Sequence, residues 1–457
     1  MIQRALIDHF RCPAEFADFR SLGKSSAKAG FFEFGTGTIA YGALSEGRVT
    51  GVASGPLEDV LSRVRIEENT CFLPFDPDEV IDNLRLERYC ASPKADSKKS
   101  LLKSLVRNAY YAIRPLLPVS VRKHLQRSAL RGWDRIPFPH WPVDQTVDRL
   151  FEKMLLLSIR TNRFDRVPFI WFWPDDHSSC AIMTHDVETS AGRDFCSSLM
   201  DLNDVYGIKS SFQIVPEERY GVPAEYLQLI RDRGFEVNVH DLNHDGNLFR
   251  DREQFLNRVK RINEYGKKFE AVGYRSGVLY RNLDWYDEFD FSYDMSVPNV
   301  GHLDPQPGGC CTTKPYFIGK LLEIPVTATQ DYTLFHILQQ YSTDLWKQQI
   351  ELILNQHGIA SFIVHPDYVI EKQAREIYEA LLAHLADLRN ASHLWLPLPR
   401  EVNSWWRMRS EMRLVQENED WRIEGPGKER ARVAFAREED GNIVYEIESR
   451  KESGVRA

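Results

Sequence analysis

The 457-residue sequence has no run of about 18 consecutive apolar residues, which argues against a membrane-spanning helix. Its opening, MIQRALIDHFRCPAEF, lacks a basic head, an apolar stretch and a small-residue cleavage site, so no secretory signal is expected there. Cysteine is scarce. Seven are scattered at positions 12, 71, 90, 180, 196, 310 and 311, an odd set that makes no disulfide framework and fits reduced thiols in a cytoplasmic protein. Charge of either sign is not in marked excess: the formal net charge is -8, and this balance does not suggest nucleic acid as a partner. No internal repeat is visible. What is present is enough apolar and aromatic material, 43% and 12%, to bury a sizeable core, in a chain long enough for about two or three domains.

Three zones and a tail separate along the chain. Residues 1–92 begin with a Gly-rich alternating stretch, GFFEFGTGTIAYGALSEGRVTGVASG, which predicts short strands and tight turns. In FDPDEVIDNLRLERY, Asp76 or Asp78 beside Pro77 is placed to cap a helix; no chemistry is assigned to this β-rich domain. Residues 93–177 read as a basic helical and Pro-rich linker. Between 94 and 135 lie eleven Lys or Arg against Asp96 and Asp134, interleaved with Leu101, Leu102, Leu105, Val106 and Ile113. Such a segment is either a solvated linker helix or a surface for anionic membrane at the inner face, each charge near the surface adding roughly 1 kcal/mol. From 178 to 400, short apolar runs (CAIMTHD, KSSFQIV, FEVNVH, IASFIVH) alternate with helical periods (PAEYLQLIRDRG, REQFLNRVKRINEYGKKF), which predicts an α/β domain with a parallel barrel or doubly wound sheet. Residues 401–457 predict a helix and a β-strand extension, with Asp440-Gly441 at a hairpin turn.

The polar residues of interest in the third zone stand at the ends of apolar strands. Asp186 and Glu188 follow CAIMTH, His240 and His244 end or follow FEVNV, Arg275 closes AVGY, Asp294 lies in FSYDMS, and His365 closes IASFIV. Loops at the C-terminal ends of parallel barrel strands converge on one mouth, so titratable groups there gather into a site. Two histidines four apart can face one metal, and a carboxylate from a neighbouring strand end completes a set with open positions for water. Alone, an HxxxH pair is more often surface or satisfied core than a ligand pair. Asp186 and Glu188 also have plainer readings as helix-cap and helix-start acids, and Asp245 beside Gly246 reads as a turn former. Trp171, Trp173, Trp405 and Trp406 are either core or sugar-stacking platforms, and Gly308-Gly309-Cys310-Cys311 is a flexible loop with adjacent thiols.

THDVE, HDLNH, YRSG, YDMSVP and IVHPD, in this order, resemble the successive motifs of the polysaccharide deacetylases (the NodB-homology domain, carbohydrate esterase family 4) over about residues 178–400. The resemblance implies a distorted (β/α) barrel of about seven strands, a divalent metal, commonly zinc, and removal of an N-acetyl group from an amino sugar. It implies Asp186 as general base, Glu188, His240 and His244 as metal ligands, Arg275 as the partner orienting Asp186, and His365 as the acid that protonates the departing amine. Asp294 is then the residue expected to keep His365 charged. Tyr274, Gln330 and Asp331 are expected to face substrate. The first motif departs from two adjacent aspartates, reading His185-Asp186-Val187-Glu188, and the third reads RSGVLYR. These departures leave open the substrate, a lipid- or nucleotide-linked sugar or another linear or cyclic amide, and also a catalytically silent carbohydrate-binding scaffold.

Overall fold

The computed structural model describes residues 4–23, 28–91, 119–418 and 420–448. Residues 94–118, the larger part of the basic segment, lie outside the described residues. Among the described residues no helix is long and apolar enough to cross a membrane, and all seven cysteines are free thiols.

The central sheet is the architecture expected from the alternating pattern. Strands β1 (Ser179–Val187), β2 (Ser210–Ile214), β3 (Glu236–His240), β4 (Gly273–Arg275) and β5 (Tyr293–Asp294) lie side by side in parallel. At the outer edge β6 (Tyr316–Ile318) runs antiparallel to β7 (Leu321–Glu323), and β7 is parallel to β5. On the far side of β1 lies β8 (Ile359–Ile363), also parallel, and β9 (Leu394–Trp395) pairs with the start of β1. Eight parallel strands, with β6 antiparallel at the edge, thus curl into a distorted barrel, one strand more than the seven or so expected.

Its seam lies between β7 and β8 and is bridged by irregular chain. Ala328 N–H donates to the Ser361 carbonyl at 3.2 Å, and Thr327 Oγ1 both donates to the Ile359 carbonyl and accepts from Ser361 N–H. β1, β2, β3 and β8 are buried along their whole length, as strands covered on both faces must be. Helices cover the outside: α1 (Ser190–Val205), α2 (Ala224–Asp232), α3 (Arg252–Lys268), α4 (Asp344–Leu354) and α5 (Lys372–Ala391). Capping sets two of their starts, Thr189 Oγ1 accepting from Gly192 N–H and Asp251 Oδ1 from Gln254 N–H.

The N-terminal zone holds short strands, as expected, together with helices at Arg4–Phe10 and Pro77–Arg85; Asp76 caps the latter through the N–H groups of Asp78 and Glu79. It does not stand apart from the rest. Phe10, Phe32, Phe151, Phe169, Trp171, Trp405 and Phe435 belong to one buried cluster. Residues 146–170, read from the sequence as part of a linker, supply that cluster with a helix (Thr146–Asn162) and a strand (Val167–Ile170). This strand pairs with Val433–Glu439 of the C-terminal hairpin, whose turn is Asp440-Gly441 with φ of 49° and 81°, the left-handed pair that a two-residue type I′ turn requires. Trp171, Trp173, Trp405 and Trp406 are all buried here, so they pack the core and face no sugar.

Candidate active site

Four strand ends carry the cluster. Asp186 comes from β1 and Glu188 from just beyond it, His240 ends β3, Arg275 ends β4, and His365 follows β8. Each stands where its strand's pleat and the barrel's curl bring it to the same mouth.

Glu188 is the meeting point of three imidazoles. Its Oε1 lies 2.9 Å from His244 Nε2, 3.7 Å from His240 Nε2 and 3.5 Å from His365 Nε2. One donor atom each from Glu188, His240 and His244 fall within 4.8 Å of one another. The rings are held from behind: His240 Nδ1 faces the Arg275 carbonyl at 3.2 Å, so Nδ1 carries the hydrogen and Nε2 presents its lone pair to the centre. His240 Nε2 and both ring nitrogens of His244 are buried and have no hydrogen-bond partner; the 2.9 Å approach of His244 to Glu188 is a convergence of donor atoms without hydrogen-bond geometry. Buried polar atoms are rarely left so. Two imidazole nitrogens and a carboxylate oxygen suit zinc or a similar divalent ion, and these orphaned nitrogens fit that group. Asp241 and His244 hold left-handed backbone, φ 55° and 54°, and thus fold the HDLNH loop back on itself.

On one flank is Asp186. Arg275 Nη1 donates to its Oδ1 at 2.6 Å and to Thr184 Oγ1 at 2.8 Å, while Nε holds the Met295 carbonyl at 2.9 Å. Burial alone would raise the Asp186 pKa. The adjacent Arg275 guanidinium, then His240 and His365, outweigh it and keep the carboxyl below its ordinary value. Its Oδ2 lies 3.7 Å from His240 Nε2.

On the other flank is His365. Burial would lower its pKa, but Asp331 holds it well above the usual imidazole range: Asp331 Oδ1 is 2.6 Å from His365 Nδ1, and Oδ2 accepts from His365 N–H at 2.7 Å. Asp331 was expected to face substrate; it is instead the orienting partner of His365. Asp294, expected in that role, is turned elsewhere. Its carboxylate accepts from Ser296 N–H and Oγ and sits against Glu323, its register partner on β7. Burial pushes both carboxyls upward, Glu323 further because Asp294 faces it. Nor does Tyr274 reach the mouth: its ring is buried against Phe289 and Phe291. Gln330 donates to Asp304 at 3.2 Å and lines a small cavity of about 30 Å³ with Trp141 and Thr329.

His185 escaped the sequence reading. It points away from the mouth, donating through Nδ1 to the carbonyl of Val364 at 2.9 Å, and its Nε2 faces Asn203 Nδ2 at 3.2 Å and Tyr378 OH at 3.4 Å. Burial pushes its pKa down to about 4, so it is a neutral strut between the residue before Asp186 and the residue before His365. Its place in THDVE, with Asp186 on the opposite face of the strand, was the available signal.

Fold and site together define a parallel-stranded barrel with a carboxylate and two imidazoles converging at its C-terminal mouth, flanked by an arginine-held aspartate and an aspartate-held histidine. No family model and no curated protein matches this chain. Among solved structures, the chain is similar to a protein assigned as a polysaccharide deacetylase from Mycobacterium smegmatis, at 16% identity and TM-score 0.43, covering 55% of this chain and 98% of that one. It is similar to the peptidoglycan deacetylase PdaC from Bacillus subtilis at 12% identity and TM-score 0.34, over 52% and 95% of the two chains. It is also similar to the Puue allantoinase at 11% identity and TM-score 0.41, over 51% and 92%. These identities and scores are too low to carry an argument about chemistry, which rests on the geometry of the site.

Proposed function

We propose that this chain is a metal-dependent amide hydrolase of the polysaccharide deacetylase type, removing an N-acetyl group from an amino sugar. One observation carries the reading: the donor atoms of Glu188, His240 and His244 lie within 4.8 Å of one another, with buried imidazole nitrogens that nothing else satisfies. The order of the five sequence motifs supports it. Glu188, His240 and His244 would hold the ion, and a divalent cation bound there would lower the pKa of a water and polarise the amide carbonyl.

The remaining work falls to the chain's own groups. Asp186, kept ionised by Arg275, takes a proton from the attacking water. His365, kept protonated by Asp331, gives one to the departing amine nitrogen, so that acetate and a free amine leave. Amide cleavage needs both transfers, because an unprotonated amide nitrogen is a poor leaving group. Substrate class is the finer part of the proposal. An amino sugar linked to lipid would suit a chain carrying the basic segment 94–135.

Metal analysis of the purified protein beside His240→Ala tests the centre: near-stoichiometric zinc in the first and its loss in the second are expected. Turnover is then read on panels of N-acetylated amino sugars and of linear and cyclic amides, with and without chelator. Activity that survives in Asp186→Asn removes Asp186 from its role, and a metal-loaded protein inert on every panel favours a carbohydrate-binding scaffold. Binding to anionic liposomes at low salt tests the lipid-linked form; absence of binding removes its support.

A further inference from the structure

Beyond the strand ends, one turn beside the site is held in an unusual backbone. Val278 and Leu279, just after Arg275, have φ of 60° and 52°. Consecutive left-handed residues that are not glycine are uncommon, and a β-branched one is an outlier that its surroundings must enforce. The turn touches the metal-ligand loop directly: a Cβ on Gly277 would meet His244 Cδ2 at 3.0 Å and Asp241 Cβ at 3.3 Å. Leu279 also forms a small buried cluster with Val326 and Ile363, separate from the two main cores.

The enforcement comes from far away in sequence. Arg281 Nη1 donates to the Leu279 carbonyl at 2.9 Å, and its backbone exchanges hydrogen bonds with the Gln306 amide at 3.1 Å in both directions. Its remaining donors grip Glu87 from the N-terminal zone: Nε reaches Oε2 at 2.6 Å and Nη2 reaches Oε1. Glu87 Oε1 also accepts from Gly309 N–H, and Glu87 itself has φ 54°. Side-chain exposure is 0% for Arg281 and 7% for Glu87. A forked, desolvated pair of this kind fixes position as well as charge. Without the carboxylate, the buried guanidinium would lose its forked partner, fall back on the longer-range attraction of Asp304 and seek water, drawing the Leu279 carbonyl with it.

We propose that Glu87 is a positioning residue of the metal centre: acting through Arg281, it holds the Gly277–Leu279 turn against which His244 packs. The N-terminal zone is then an integral part of the active unit. This rests on the metal-centre reading above and goes beyond it.

The test uses the full chain and zinc itself. Groups that support a ligand without touching the metal commonly cost about 10–100-fold in affinity when removed, and Glu87→Gln is expected to weaken zinc binding by about that factor in competition with a chromophoric chelator. Glu87→Asp serves where the Gln variant does not fold, since it keeps the charge but withdraws the fork. The double variant Glu87→Gln/Arg281→Met removes the cation left without its fork. It is expected to regain thermal stability without regaining zinc affinity, which separates positioning from mere structural support. The proposal is overturned by wild-type zinc affinity in Glu87→Gln or Glu87→Asp, or by affinity recovering together with stability in the double variant. His240→Ala, run alongside, keeps the two readings apart. If it binds zinc as tightly as wild type, the metal centre itself is lost. If it does not, while Glu87→Gln matches wild type, only the role of Glu87 falls.

Discussion

Gly277→Ala is the smallest change that addresses the metal centre without touching a ligand. A methyl there would sit 3.0 Å from His244 Cδ2, whereas unstrained carbon pairs rest about 3.5–4.0 Å apart. It would also collide with Asp241 Oδ2. The neighbours cannot share the strain easily. Asp241 and His244 are both buried, 1% and 4% exposed, and Asp241 is fixed by Leu242 N–H at 2.7 Å and through its own N–H to the Arg275 carbonyl. The imidazole must therefore give by roughly 0.5–1 Å. Overpacking of this kind costs about 1–3 kcal/mol, so the fold should survive. A displacement near 1 Å at a reacting centre is another matter, worth about a hundredfold in rate. The expected outcome is a folded protein with weakened zinc binding and a turnover reduced by about that factor, measured by chelator competition and by release of acetate. A Gly277→Ala protein with wild-type zinc affinity and wild-type turnover would refute the claim that the third motif's glycine exists to let the HDLNH loop approach.

Three further outcomes follow from the same geometry. His185→Leu leaves the buried Val364 carbonyl without its donor, an orphan costing about 1–3 kcal/mol, while Asn203 and Tyr378 keep each other and Ser210; His185→Asn keeps a donor where Nδ1 stood, so thermal melts should rank wild type, Asn, Leu, and equal melting of the two variants would remove His185 as a strut. Asp331→Asn takes away the charge that keeps His365 protonated and should cut turnover by about a hundredfold or more with zinc content unchanged; Asp294→Asn, away from His365, should cut it far less, and the reverse ranking would return Asp294 to that place. Glu236, buried and bonded to Tyr293 OH and Arg400 N–H, has its pKa pushed by burial from 4.5 up to about 7. In that window the folded chain holds a proton the unfolded chain has released, so stability is greatest below pH 4.5 on this account and falls as pH rises to about 7, by up to about 3 kcal/mol; Glu236→Gln should flatten that part of the stability profile, and an unchanged slope would show that Glu236 does not carry it.

Which residues would meet at the mouth was legible in the sequence, and what each would face was not, for one physical cause. Asp186, His240, Arg275 and His365 were legible because each stands at or just past the end of its own strand, and period and position along one strand are local properties. What a strand-end residue faces across the sheet is not local. The resemblance offered Asp294 as the partner of His365, yet β5 borders β7, so register sets Asp294 against Glu323. His365 lies beside the seam, where the neighbouring chain is no strand at all but residues 324–331, and Asp331 arrives there from the bridge that closes the barrel. An irregular segment has no period to read. Distance along the chain hides contacts in the same way: Glu87 and Arg281 are 194 residues apart, and nothing in RSGVLYR announces that its second arginine is spoken for by another zone. The buried tryptophans make the same point in reverse, since composition marks them equally as sugar platforms and as core, and only the packing of Val167–Ile170 under the C-terminal hairpin decides for core. Thus the groups proposed for the chemistry could be listed from the strands, while the groups that hold them in place, Asp331, His185 and Glu87, come from the seam, the outer face and a distant zone, each fixed by tertiary neighbours that no local pattern encodes.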